Sequence, residues 1–114
     1  YLYITHDLAV ARYMCHRIAV MYAGKIVELG ETEQVLRSPV HPYTKALISA
    51  IPVPDPGHRR PLVNIKGSLL RPVNPPPRCR FFDRCLIATD VCRSSDHPPL
   101  TGRADGRQVA CYNA

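Results

Sequence analysis

The chain has 114 residues and no internal repeat, which is enough for one ordinary domain but small for a complete nucleotide-dependent enzyme. Its 15 Lys and Arg exceed its 9 Asp and Glu and give a formal charge of +6. Because aromatic residues do not alternate with the basic ones as on base-stacking surfaces, the charge indicates a solvated basic face and no nucleic-acid partner. No apolar run approaches the roughly 18–20 residues that cross a bilayer, so any membrane association must come through a partner.

The composition changes close to residue 38. All 12 prolines lie at or after Pro39. Residues 1–38 are therefore predicted to be regular α/β structure, and residues 39–114 a proline-punctuated extension. The chain opens on strand-like residues, with neither an initiator Met nor a secretory segment. We expect a fragment that begins inside a larger α/β domain.

The first elements in chain order are a strand and a short helix. Residues 1–4 are apolar or aromatic, which predicts a buried strand that ends at Thr5. Apolar side chains then recur at Val10, Tyr13 and Met14 with helical spacing. Either Thr5 or Asp7 can cap this helix.

A hairpin and a second helix are predicted next. Apolar, β-branched runs over Arg17–Tyr22 and residues 25–29 flank Gly24, whose backbone tolerates the positive φ of a tight turn. Thr32 is a good N-cap for a short helix that stops before Pro39.

The extension offers one longer helix and one candidate strand. Pro42 suits the first position of a helix that Pro52 ends. Residues 53–78 are rich in proline, and only residues 62–65 have the apolar character of an additional strand.

The first segment with candidate chemistry is ITHDL at positions 4–8, followed by RIAVMYAGKIVELG at positions 17–30. Taken alone, a His-Asp pair between a strand and a helix is more typical of a capping arrangement than of a site. Together, however, the two segments resemble the switch-histidine region of ABC ATPases. The resemblance implies that His6 contacts the γ-phosphate of ATP, which an imidazole at the end of a buried strand can do.

A second segment, HPYTKAL at positions 41–47, resembles the signature that opens the C-terminal extension of oligopeptide and dipeptide transporter ATPases. The stretch GSLLRPVNPP at positions 67–76 is similar to the sequence before the first cysteine in the second of the two paired ATPases. The resemblance therefore implies an ATPase subunit of a peptide importer.

Four of the five cysteines, Cys79, Cys85, Cys92 and Cys111, follow the spacing C-x5-C-x6-C-x18-C. A tail with so small a core needs a covalent or metal staple, and three kinds fit. Disulfides require an oxidising compartment, structural zinc favours closer pairs of cysteines, and an iron–sulfur cluster tolerates wider spacing. Cys15 lies apart, and we expect it to be a small buried hydrophobe.

The resemblance adds an implication that the spacing alone does not. The extension of peptide-transporter ATPases carries a four-cysteine motif of this shape and binds a [4Fe-4S] cluster in members of the family. The ligand role is thereby implied for the four cysteines of the tail, with zinc as the alternative. Arg80 and Arg84 flank the cysteines and are expected to offset the negative charge of either metal site.

The predicted fold is the α/β C-terminal fragment of a P-loop ABC ATPase domain, followed by a Pro-rich, cysteine-stapled extension. The chain lacks a phosphate loop, a glutamine loop, a signature motif and a Walker B strand, so we expect it neither to bind nor to hydrolyse ATP by itself. The parent protein is expected to use ATP with Mg²⁺.

The implied partners are a homologous second ATPase, transmembrane permease subunits and, through the complex, an extracytoplasmic peptide-binding protein. The implied location is the cytoplasmic face of the cell membrane. The alternative is a stand-alone iron–sulfur or zinc module without enzymatic activity. A nucleic-acid-binding zinc module would rest only on basic charge and cysteines.

Overall fold

The computed structural model describes residues 1–52, 57, 61–67 and 73–114. Its helices are α1 (Leu8–Met14), α2 (Thr32–Arg37), α3 (Pro42–Ser49) and α4 (Asp90–Ser94), with a 3₁₀ helix over Phe82–Arg84. Its strands are β1 (Arg17–Tyr22), β2 (Lys25–Glu31), β3 (Thr101–Gly102) and β4 (Gln108–Val109). The predicted α/β class is therefore confirmed for the described residues.

The four strands form one antiparallel sheet in the order β1-β2-β4-β3. The predicted hairpin is confirmed, with Arg17 opposite Glu31 and Tyr22 opposite Lys25. Its turn uses positive φ at both Ala23 (47°) and Gly24 (77°), as the twist of a two-residue hairpin loop requires. The last strands of the chain thus extend the sheet that its first strands begin.

Helix α1 is capped as predicted by Asp7, whose carboxylate accepts from the amides of Ala9 and Val10 at 2.9 and 3.2 Å. The predicted N-cap role of Thr32 is wrong by one residue, because Glu31 holds that position. Thr32 is instead buried in the first turn of α2. Its hydroxyl donates to the carbonyl of Cys15 at 2.7 Å, which ties α2 to the end of α1.

Helix α3 begins at the predicted Pro42 but ends at Ser49, three residues before Pro52. Its N-cap is His41, whose Nδ1 accepts from the amide of Tyr43 at 3.1 Å. Histidine is not among the usual capping residues, so this role was not predictable from the residue type.

The core of the described residues includes two apolar clusters. One comprises Val20, Val27 and Val35, and the other comprises Cys79, Phe81 and Cys92. Tyr22 and Tyr43 pack against both. The hairpin therefore shares a continuous interior with the cysteine-bearing segment.

Two predicted strands are absent. Residues 1–5 form no strand and are exposed, because no other segment among the described residues pairs with them. Residues 61–66 also form no strand, and the edge of the sheet next to β2 is occupied by β4 instead. Residues 68–72, part of the stretch compared with the second paired ATPase, lie outside the described residues.

Within the described residues, no helix has the length and apolar character needed to cross a membrane.

Candidate functional site

The predicted switch residue His6 is exposed and lies at a bend between the N-terminal residues and α1. Its neighbours are held by short-range bonds, since the hydroxyl of Thr5 accepts from the amide of Asp7 at 3.0 Å and Asp7 caps α1. The imidazole of His6 takes part in none of these bonds. The position is compatible with contact to a ligand supplied from outside this chain.

The four cysteines of the tail come from four segments that the fold brings together. Cys79 precedes the 3₁₀ helix, Cys85 follows it, and Cys92 lies within α4. The main chains of Cys79 and Cys92 are joined directly by an amide-to-carbonyl bond of 3.0 Å. Cys111 follows β4, and all four thiols are free.

The thiols of the tail cysteines influence one another's pKa. Burial is the main cause that raises the pKa of the thiols of Cys79, Cys85 and Cys111. Mutual repulsion adds to this rise: Cys92 acts on all three, and Cys85 acts on both Cys79 and Cys111. Cys79, Cys85 and Cys92 pack in one apolar cluster, and the ligand role of all four thiols stays a prediction.

The flanking arginines do not have the surroundings that the sequence suggested. Arg80 donates to the carbonyl of Ala23 at 3.0 Å, and the guanidinium of Arg84 lies 6.0 Å from the ring centre of Tyr22. Both side chains thus contact the hairpin. The cations that favour the thiolate forms are lysines elsewhere in the chain, Lys66 for Cys85 and Lys45 for Cys111.

The thiols of the described residues are not arranged as a metal site. Among the described residues, no three or more His, Cys, Asp or Glu side chains are grouped so as to hold a metal ion. A zinc ion needs four ligand atoms around one centre, with sulfur at about 2.3 Å. In a cubane cluster each of four irons takes its own thiolate, and the described residues show neither kind of site.

Sequence reasoning missed three polar residues that lie around the cysteines. His97 accepts through Nδ1 from the amide of Arg80 at 3.2 Å, and its buried Nε2 has no partner among the described residues. Thr89 and Asn113 both lie within hydrogen-bonding distance of the sulfur of Cys92. None of the three belongs to a recognisable motif, and only the proximity of Thr89 to Cys92 in sequence could have suggested a contact.

A cavity of about 580 Å³ lies between the end of α1, the start of α2 and the loop that joins β3 to β4, and none of the four tail cysteines lines it. Cys15 lines it and is half-buried, so the expectation of a fully buried residue is wrong. The rest of the lining mixes both signs of charge. It comprises Arg12, His16, Arg17, Glu31, Thr32, Glu33, Gln34, Asp105 and Gly106.

A family model described as the C-terminal region of oligopeptide/dipeptide transporters matches residues 27–92, more than half of the chain. The chain belongs to this family. The match includes most of β2, all of α3 and three of the four tail cysteines. The membership inferred from the segments at positions 4–8, 17–30 and 41–47 is thereby confirmed.

Similar proteins extend the match to nearly the whole chain of this oligopeptide/dipeptide transporter family member. It is 51% identical over 97% of its length to a probable peptide ABC transporter ATP-binding protein of Sinorhizobium fredii, of which it covers 31%. It is 43% identical over 99% of its length to the dipeptide transport ATP-binding protein DppF of Haemophilus influenzae, covering 34%. It is 42% identical over 100% of its length to the di/tripeptide transport ATP-binding protein DppF of Pseudomonas aeruginosa, of which it covers 35%. The chain thus spans about a third of these relatives.

Proposed function

We propose that this chain is the C-terminal part of an ATP-binding subunit that couples ATP hydrolysis to peptide import across the cytoplasmic membrane. The observation that carries the proposal is the alignment of 97–100% of the chain with proteins named for peptide or dipeptide transport. ATP and Mg²⁺ would be bound largely by parts of the parent subunit outside these 114 residues. The chain alone would then be inactive.

The test is transport by the parent protein. Full-length subunit reconstituted in vesicles with its permease subunits should accumulate a labelled dipeptide only when ATP and Mg²⁺ are supplied. ATP hydrolysis without ATP-dependent peptide uptake would overturn the peptide-import proposal while leaving the ATPase assignment intact.

Within the parent, His6 is assigned to the γ-phosphate of ATP. Support comes from its exposed position immediately before the capped helix α1 and from the surrounding segment, which resembles the switch-histidine region. An imidazole nitrogen there could donate a hydrogen bond to a terminal phosphate oxygen.

We also assign a [4Fe-4S] cluster to Cys79, Cys85, Cys92 and Cys111. Support comes from the four free thiols and from the resemblance of the tail to the four-cysteine motif of peptide-transporter ATPases. When bound, the cluster would supply a cross-link between the 3₁₀ helix, α4 and β4. Its role in this proposal is structural.

The cofactor assignment is tested on anaerobically purified parent protein by metal analysis and visible absorption, with Cys85→Ser for comparison. About four irons and a broad absorption band that the variant loses would support the cluster. One zinc would replace the cluster by a zinc site, and no metal would overturn the ligand role of all four cysteines.

The proposed division of the chain places residues 1–38 in the nucleotide-binding domain and residues 39–114 in the extension. The proposed partners are a second, homologous ATPase subunit and the permease subunits, with a peptide-binding protein reached through the assembled complex. The subunit would then lie at the cytoplasmic face of the membrane, held there by the permeases.

A further inference from the structure

The cavity between α1, α2 and the β3–β4 loop has the size of a small-molecule site. Its volume of about 580 Å³ falls in the range of roughly 300–1,000 Å³ that is usual for ligand pockets. Its lining comes from segments far apart in the chain, because residues 12–17 and 31–34 contribute to it together with Asp105 and Gly106. A molecule bound there would contact the hairpin and the tail at once.

One side of the cavity is held in place by hydrogen bonds of Thr32. Its hydroxyl donates to the carbonyl of Cys15 at 2.7 Å, and its amide donates to the carbonyl of His16 at 3.0 Å. The neighbouring Arg17 and Glu31 lie directly opposite each other in the hairpin register, which places their Cβ atoms about 4.5–5.5 Å apart on one face of the sheet. The main chain thus fixes the positions from which these two side chains project.

Most of the arginine and carboxylate side chains that line the cavity are already compensated within the chain. Glu33 accepts from Arg12 at 2.8 Å and from Arg37 at 2.9 Å. Asp105 accepts from Arg107 at 2.6 Å. These groups therefore have little charge left to offer a ligand.

Arg17 and Glu31 are the exception. Both are exposed, and neither side chain forms an ion pair or hydrogen bond with another of the described residues. Glu31 is the N-cap of α2, yet its carboxylate makes no capping bond. The free charges of the cavity are therefore one cation and one anion, side by side. A phosphate or a metal ion would meet one repulsive charge there, whereas a zwitterion would find an opposite charge for each of its ends.

We propose that this cavity binds a small zwitterion of the amino acid or short-peptide class. The carboxylate of the ligand would accept hydrogen bonds from the guanidinium of Arg17, and its ammonium group would donate to the carboxylate of Glu31. The choice of a peptide within this class rests on the proposed function, because a peptide importer would release its product on the side of the membrane where this subunit lies.

The experiment is isothermal titration calorimetry of the purified full-length parent subunit, without permease subunits, with the dipeptide L-alanyl-L-alanine. The N-acetylated and the amide-terminated forms of this dipeptide lack the ammonium group and the carboxylate, respectively. Arg17→Gln and Glu31→Gln each remove one free charge of the cavity. Arg93→Gln and Asp96→Asn are the matched controls, because both residues are exposed and neither lines the cavity.

We expect L-alanyl-L-alanine to bind the wild type, and to bind Arg17→Gln and Glu31→Gln roughly tenfold more weakly, as the loss of one charge-assisted hydrogen bond predicts. Arg93→Gln and Asp96→Asn should match the wild type, and both blocked dipeptides should bind the wild type more weakly than the free one. Circular dichroism checks that each variant is folded. If a cavity variant does not fold, the comparison of free and blocked dipeptides on the wild type decides the question.

Three outcomes would overturn the inference: no binding of L-alanyl-L-alanine to the wild type, equal binding of the free and blocked dipeptides, or unchanged affinity in both cavity variants. Failure of the proposed function would be seen separately, because that function is tested by ATP-dependent uptake into vesicles. Dipeptide binding by a subunit that supports no uptake would leave the cavity site in place and overturn peptide import alone.

Discussion

Glu28 of β2 and Arg107 of the β3–β4 loop lie side by side, with 3.8 Å between Oε1 and Nη1. The carboxylate of Glu28 is fully buried and accepts from the amides of Val40 and His41 at 3.0 and 2.9 Å. Arg107 bonds the carboxylate of Asp105 at 2.6 Å and also the carbonyl of Ser38. The pair therefore joins the hairpin, the segment before α3 and the last strands, with each charge compensated.

Substitution of Glu28 by Ala should destabilise the chain strongly. The amides of Val40 and His41 would lose their acceptor, and Arg107 would lose a buried counter-charge, for a cost of about 3–5 kcal/mol. Glu28→Gln keeps one acceptor oxygen and should cost less. The free energy of unfolding, measured in urea, checks this, and Glu31→Ala is the control because Glu31 is exposed in the same strand. Equal effects of Glu28→Ala and Glu31→Ala would contradict the role assigned to Glu28.

Close packing at Gly30 leads to a second prediction. An added Cβ there would lie 2.6 Å from Cγ of Arg107 and 3.2 Å from Cγ2 of Val35. Gly30→Ala should therefore destabilise the chain by about 1–3 kcal/mol, as overpacking does. At Gly102, also in a strand, nothing lies within 4 Å of an added Cβ, so Gly102→Ala should be tolerated.

Thermal unfolding followed by circular dichroism separates these two glycine variants. Combining Gly30→Ala with Arg107→Ala provides a further check, since removal of the Arg107 side chain relieves the clash. The cost of Gly30→Ala should then be smaller than in the wild-type background. If Gly30→Ala is equally destabilising in the Arg107→Ala background, the steric strain does not come from contact with Arg107.

His41 should make the start of α3 sensitive to acid. Burial, with a smaller contribution from the charge of His97, lowers the pKa of His41 from 6.5 to about 4. The folded state thus resists protonation, because Nδ1 must stay unprotonated to accept from Tyr43. The stability contribution is complete above pH 6.5 and is lost as the pH falls towards 4, by up to about 3 kcal/mol.

Hydrogen exchange of peptides covering residues 40–50, measured from pH 7 to pH 4, checks the His41 prediction. His41→Asn is the matched variant, because asparagine retains a capping acceptor but does not titrate. Two other titratable groups face His41: the Glu28 carboxylate, which accepts from the His41 amide, and the imidazole of His97. Burial and the charges of Arg80 and Lys25 lower the pKa of His97. The stability contribution of His97 is also lost as the pH falls, so the His41→Asn variant should keep a pH dependence of hydrogen exchange, but with a smaller slope than the wild type. An unchanged slope would exclude His41 as its source.

The elements predicted correctly are those with local causes. Asp7 caps α1, the 23–24 turn closes the hairpin, and Pro42 starts α3, each through backbone preferences within a few residues. The family was also readable from the sequence, since HPYTKAL and the region around His6 are contiguous segments. Such features need no knowledge of the tertiary structure.

What could not be predicted depends on contacts between distant segments. Strands β3 and β4 have two residues each, too few to produce an alternating pattern. The alternation of apolar and polar residues along β2 does not predict that the carboxylate of Glu28 is buried. Its partner Arg107 lies 79 residues farther along the chain. The predicted strand at residues 1–4 failed for a related reason, because a strand is defined by its neighbours.

The final prediction concerns His6, for which the capping hypothesis and the phosphate-sensing hypothesis differ in outcome. Asp7 accepts from the amides of Ala9 and Val10, so α1 does not need the imidazole for its cap. His6→Ala in the full-length parent should then leave folding and nucleotide affinity nearly unchanged. ATP turnover should fall by about 100-fold, as for the loss of one transition-state hydrogen bond. His16→Ala, at another exposed histidine, is the control, and normal turnover in His6→Ala would contradict the switch assignment.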